Sequence, residues 1–268
     1  MFGTPWIAAL SALFLWWFST GAILCVVKYG ENGRADAVRR MTWWSLPLGL
    51  VGCGMLVWSA FSITVASVYL AFVGALLVWG WIELAFLAGV ITGPNLNPCP
   101  PEVPEWERFV RAWGTLAFHE MMLLAVLFAL LALGNAAPND FGVWTFAVLY
   151  FARVSAKLNL FMGVPRIHTD FLPNALAHLP SHFRIKSLNW LFPIAITGLS
   201  CATAYWGFHL YAALAPFETV GFALLTAITA LALLEHWLMV LPVPDDKLWR
   251  WMLPQPSPNT PLDPRTAP

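Results

Sequence analysis

Seven stretches of about 20 mainly apolar residues divide the chain, and each is long enough for a helix to cross a hydrocarbon layer about 30 Å thick. They span residues 6–27, 42–61, 66–91, 113–134, 142–164, 190–213 and 219–241. Lipid offers no partner to a backbone N–H or C=O, so such runs must satisfy themselves as helices. The expected fold is an all-α, polytopic membrane helix bundle. Only Ser62, Ile63, Thr64 and Val65 separate the second and third runs, so one long broken segment, giving six spans, is the alternative. Residues 1–251 read as a single transmembrane helical domain, and residues 252–268 as a Pro-rich, disordered cytoplasmic tail.

Charge placement gives the orientation. Charged residues make up 10% of the chain, against about 25% in soluble domains, which excludes a soluble enzyme and any nucleic-acid-binding tail. Of fourteen Lys and Arg, twelve lie in alternate connections or the C-terminal segment: Lys28, Arg34, Arg39, Arg40, Arg108, Arg111, Arg166, Arg184, Lys186, Lys247, Arg250 and Arg265. The opposite connections hold no Lys or Arg, and only Asp140 and Glu218 as acids. Basic loops stay inside, so the N-terminus is expected outside and the C-terminus in the cytoplasm. No basic stretch precedes the first run, which therefore reads as a retained anchor, not a cleaved signal. Trp43, Trp44, Trp106, Trp113, Trp190, Trp249 and Trp251 fall near inner span ends, where indoles favour the interface.

Cys25, Cys53 and Cys201 lie in spans without a C-x-x-C pattern and read as buried membrane thiols, and Cys99 sits in a connection. No internal repeat is visible, so the inverted-repeat signature of a transporter is missing. Gly89 and Gly93 stand at helical spacing, a helix-packing signal. Two connections exceed a minimal turn. In the first, Pro104 followed by Glu105 and Glu107 predicts a short amphipathic helix leading into the fourth span. The second, residues 165–189, contains Arg166, His168, Asp170, His178, His182, Arg184 and Lys186.

Ionisable residues inside a membrane are costly, and each is a functional hypothesis. Glu83, His119, Glu120, Arg153, Lys157, Glu235 and His236 come from four spans, yet all fall roughly 8–16 Å below the cytoplasmic interface at 1.5 Å per residue. Arg153 and Lys157, spaced i,i+4, share one helix face that needs carboxylates. Three glutamates against two cations leave one negative charge for a protonated Glu, a protonated His or a bound cation to neutralise.

Three readings fit. One is a buried ion-pair network that fixes helix packing. Another is a metal centre for Fe, Mn or Zn, with Glu83, His119, Glu120, Glu235 and His236 as candidate ligands. Against it, His119–Glu120 and Glu235–His236 are adjacent pairs pointing about 100° apart, unlike Glu-x-x-His. The third is a tetrapyrrole or lipid pocket, with His119 or His236 as an axial ligand and Arg153 or Lys157 receiving a propionate or head group. His178 and His182 have the spacing of a helical metal pair, but Pro180 between them opposes a regular helix. The loop histidines read as solvated or interface residues, and His209 as interfacial.

Six segments carry a resemblance. Leu15-Trp16-Trp17-Phe18-Ser19-Thr20-Gly21, Trp79-Gly80-Trp81-Ile82-Glu83-Leu84-Ala85-Phe86, Ile91-Thr92-Gly93-Pro94-Asn95, Phe118-His119-Glu120, Ala152-Arg153-Val154-Ser155-Ala156-Lys157-Leu158-Asn159 and Glu235-His236-Trp237 stand in an order that resembles the PuhE-type photosynthetic complex assembly proteins. The resemblance extends through Trp249-Arg250-Trp251. It implies a multi-pass inner (cytoplasmic or intracytoplasmic) membrane protein of purple phototrophic bacteria. The implied role is an assembly or pigment-supply factor for the reaction centre and core antenna. Implied partners are the lipid bilayer and reaction-centre or core-antenna subunits or other assembly factors, with bacteriochlorophyll or a precursor as the ligand. It brings no catalytic residue. A membrane-bound metalloenzyme of tetrapyrrole or isoprenoid metabolism, using the same Glu/His cluster, is the alternative.

Overall fold

A computed structural model describes residues 3–31, 35–167, 169 and 172–243. These residues form α1 (Pro5–Glu31), α2 (Ala35–Trp44), α3 (Leu46–Ala60), α4 (Val65–Leu87), α5 (Glu105–Gly134), α6 (Phe141–Met162), α7 (Leu191–Ala212) and α8 (Pro216–Leu238). Two short 3₁₀ turns, Asn174–Leu176 and Leu179–His182, lie between α6 and α7. Among the described residues there is no strand, only one bridge between Val164 and Ile185.

Six helical stretches are long and apolar enough to cross a membrane: α1, α2 joined to α3, α4, α5, α7 and α8. Helix α6 has comparable length, at 22 residues, but Arg153 and Lys157 dilute its apolar character. The second and third apolar runs are separate helices. Thr64 caps α4, accepting the Ser67 N–H at 3.1 Å while the Ser67 hydroxyl accepts the Thr64 N–H at 2.8 Å. Helices α3 and α4 fold back antiparallel at close range. A Cβ on Gly52 would lie 2.9 Å from the Gly74 carbonyl oxygen, and one on Gly74 equally near that of Gly52.

Several expectations are corrected. Pro47 lacks the N–H that would bond Trp43, so the second span breaks near Ser45 into α2 and α3. The expected short amphipathic helix after Pro104 is not separate, because α5 runs unbroken for 30 residues. Gly89 and Gly93 lie beyond the end of α4 and do not form a helix-packing pair. Cys25, Cys53 and Cys201 are exposed on the outside of the bundle, the surface lipid would cover, and so are not buried thiols. The tail from 252 onward, His168, Asp170, Arg34, Lys247, Arg250, Arg265, Trp249 and Trp251 lie outside the described residues.

The helix ends sort into a basic end, where Lys28, Arg39, Arg108, Arg166 and Arg184 lie, and an opposite end. Toward the opposite end the interior is closely packed. Ala8, Val68, Phe72, Val220, Leu224 and Ile228 join α1, α4 and α8, while Ala75, Ile82, Leu123, Leu127 and Phe146 join α4, α5 and α6. The Phe141 ring fills the space a side chain on Gly221 would need, its nearest carbon 2.1 Å from the Cβ position. Large apolar side chains such as Trp6, Phe14, Phe208 and Tyr211 face outward. Toward the basic end the same helices enclose polar groups and a cavity.

Candidate functional site

Three helices, α4, α5 and α6, bring five of the seven intramembrane residues into one chain of contacts. Arg153 donates from Nη2 to Glu83 Oε2 at 3.1 Å, and Lys157 Nζ donates to Glu120 Oε1 at 2.5 Å. His119 sits between the two carboxylates, with Nε2 3.6 Å from Glu83 Oε1 and 3.9 Å from Glu120 Oε1. Those separations exceed hydrogen-bond range, and both ring nitrogens are buried without a partner. The imidazole packs on Phe86, ring centroids 4.4 Å apart.

The i,i+4 spacing of Arg153 and Lys157 aims both at this chain, as their shared face requires. His236 lies apart. Its Nε2 is 2.9 Å from Ser155 Oγ and its Nδ1 2.8 Å from the Ala232 carbonyl, which links α8 to α6. Glu235 has no ion-pair partner among the described residues. The two pairs cancel, so the surplus negative charge anticipated from the sequence belongs to Glu235.

The end of α4 explains why His119 sits where it does. Gly89 turns the chain with φ +69°, and the Val90 and Ile91 N–H groups both donate to the Ala85 carbonyl. The following segment is stitched onto α5. The Thr92 carbonyl accepts the His119 N–H at 3.1 Å, Asn95 N–H donates to the Gly114 carbonyl at 3.0 Å, and Asn95 Nδ2 donates to the Arg111 carbonyl at 3.0 Å. Only glycine fits at 93, because a Cβ there would lie 2.1 Å from the Gly114 oxygen. This stitch lays the Glu83 end of α4 against the turn of α5 that carries His119 and Glu120.

Beside the chain lies a cavity of about 510 Å³, within the size range of small-molecule sites. It is bounded by α1, α4, α5, α6, α8 and the connection after α6. Helices α1 and α5 both contribute walls yet form no packed pair among the described residues. Trp16, Phe86, Phe109, Trp113, Tyr150 and Phe161 give the wall its aromatic character. Its charged groups are Glu120, Arg153, Lys157 and Glu235, with Arg166 from the connection, which also contributes His182. His119 and His236 are almost wholly buried and do not line it, nor does Glu83. Among the described residues no group of three or more His, Cys, Asp or Glu is placed to hold a metal ion.

The connection after α6 is held by Arg108, which is buried at the start of α5. Its guanidinium donates to the His182 carbonyl at 2.8 Å, the Phe161 carbonyl at 3.0 Å and Glu105 at 3.3 Å, and stacks 3.6 Å from the Phe161 ring centroid. Arg184 pairs with the same Glu105. His178 and His182 are therefore buried, which corrects the reading of them as solvated or interface residues. Pro180 does prevent a regular helix, leaving a 3₁₀ turn. Burial lowers the pKa of both imidazoles below the ordinary histidine value. Sequence reasoning missed His182 as part of the cavity wall, Ser155 as the partner of His236, and Arg108 as the clasp. A single Arg beside a helix start carries no signal of the three partners it will bind.

A family model described as a protein of unknown function, DUF3623, matches residues 2–260. The chain belongs to the DUF3623 family. The match takes in all eight helices and every cavity-lining residue of this DUF3623 chain. The chain is also 52% identical over 251 residues to an "Uncharacterized 30.4 kDa protein in puhA 5′ region" of Rhodobacter capsulatus, covering 93% of this chain and 91% of that protein. No solved structure matches.

Proposed function

We propose that this chain is an assembly or pigment-supply factor for the photosynthetic reaction centre and core antenna. It is held in the bacterial inner membrane by seven spans, α6 being the seventh, with the N-terminus outside and the basic end in the cytoplasm. The observation that carries this reading is the relative named for the puhA 5′ region, which suggests a photosynthesis-related role and is 52% identical over 93% of the chain. The resemblance of six motifs to PuhE-type assembly proteins agrees with it. All six motifs supply residues to the ion-pair chain, the stitch or the cavity wall.

In this reading the cavity receives cargo, bacteriochlorophyll or a precursor, and the basic surface meets other assembly factors. The aromatic wall suits a flat apolar body, and Arg153 and Lys157 suit acidic substituents. His182 is the histidine placed on that wall, whereas His119 and His236 stand behind it.

Purification in mild detergent from pigment-making membranes tests the proposal. The expected result is tetrapyrrole absorbance, or reaction-centre or core-antenna subunits, travelling with the protein. A pigment-free protein that elutes without any of these subunits would overturn it.

A further inference from the structure

We propose that the cavity reads the carboxyl end of an amphipathic acid through Arg153 and Glu235, with the acid's apolar body lying along the aromatic wall. This rests on the reading of the cavity as a cargo site. A guanidinium carries five N–H donors, and Arg153 uses one of them, to Glu83. Its Nε is buried without a partner, while 42% of the side chain remains open. An open, under-bonded guanidinium within a membrane-spanning bundle is matched by an anionic hydrogen-bond acceptor.

The other cations are already engaged. Lys157 is 16% exposed and bound to Glu120, and Arg166 holds the carbonyls of Leu241 and Val243. On α8, which packs against α6, Glu235 also lines the cavity; it is exposed, acts on Arg153 electrostatically and makes no hydrogen bond among the described residues.

A carboxylic acid satisfies both groups at once. Its oxygens accept the guanidinium N–H groups, and one proton is shared between it and Glu235, so two bare carboxylates never face each other. A neutral ester accepts from Arg153 but leaves Glu235 without a proton donor. An amine meets Glu235 but is repelled by Arg153. Behind this head, Trp16, Phe86, Trp113, Leu116 and Phe161 provide an apolar bed.

Two sources present this chemistry, a long-chain fatty acid and a carboxylated tetrapyrrole. Equilibrium binding of palmitate, protoporphyrin and the methyl ester of each to the full-length protein in neutral detergent separates them. At least one acid is expected to bind at least about tenfold more tightly than its ester. Arg153→Gln should bring the acid's affinity down close to the ester's, while weakening the ester far less, since the ester loses only a hydrogen bond to a neutral oxygen. The comparison of acid with ester in the unaltered protein needs no variant, so a folding defect cannot mask the result.

Preference for protoporphyrin over its ester supports this proposal and the pigment cargo together. Preference for palmitate alone supports the acid chemistry and removes the pigment cargo. Acid and ester binding alike, or no binding of either acid, overturns the proposal, and the pigment reading would still be judged by what co-purifies.

Discussion

Lys157 and Glu120 meet at 2.5 Å with 16% and 5% of their side chains exposed, so neither charge can turn to water if its partner is lost. Lys157→Met alone should destabilise the protein by about 3 kcal/mol, because it strands a buried carboxylate. Glu120→Gln combined with Lys157→Met should recover most of that loss, read as thermal unfolding in detergent. Arg153→Gln likewise strands a buried carboxylate, Glu83 at 9% side-chain exposure, and should cost about 3 kcal/mol, less what the Gln amide recovers by donating to it. Gly93→Ala drives a methyl into the Gly114 carbonyl and should cost about 3 kcal/mol, whereas Gly198→Ala, with open space around it, should be neutral.

The intramembrane charges were legible as a group because each is anomalous in an apolar run. Their pairing was not, since one-dimensional depth cannot say which carboxylate faces which cation. Glu235 as the surplus charge became clear only from the packing of α6 against α4 and α5.

Among the elements, α6 bears two cations and lies against helices that bear the carboxylates. The connection after it is secured at Arg108, and its buried histidines make it sensitive to pH. A neutral buried imidazole binds fewer protons folded than unfolded. The stability contributed by His178 and His182 is therefore intact above about pH 6.5 and declines as pH falls below it, by up to about 1.4 kcal/mol per pH unit for each. His178→Asn combined with His182→Asn should flatten the dependence of melting temperature on pH between 5 and 6.5, and an unchanged slope would place the sensitivity elsewhere. The long apolar runs were legible as helices because length and periodicity suffice for that. The burial of the connection was not, because it depends on Arg108, which lies 74 residues away from His182 in sequence.

At the scale of the whole molecule, close packing toward one end and a polar cavity toward the other follow from where the charges sit. The basic connections give an expected orientation, N-terminus outside, and it makes a direct test. In a variant lacking the native cysteines, a cysteine placed at Thr4 should react with an impermeant thiol reagent from outside intact cells, and one at Lys186 should not. Reversed labelling would invert the topology and turn the cavity toward the outer side. The cavity itself was not legible, since it is the space left where α1 and α5 stand apart.

The central claim is that this cavity is the working site of a factor for photosynthetic complex assembly. Val154→Trp fills the cavity from α6, and Phe14→Ala alters only the outward face of α1. The most direct measurement is the near-infrared absorption of reaction centre and core antenna in membranes of a phototrophic bacterium lacking the chain, complemented with each variant at matched protein levels. The account predicts that Phe14→Ala restores both absorption bands and Val154→Trp leaves them as low as in cells without the chain. Full restoration by Val154→Trp would contradict it.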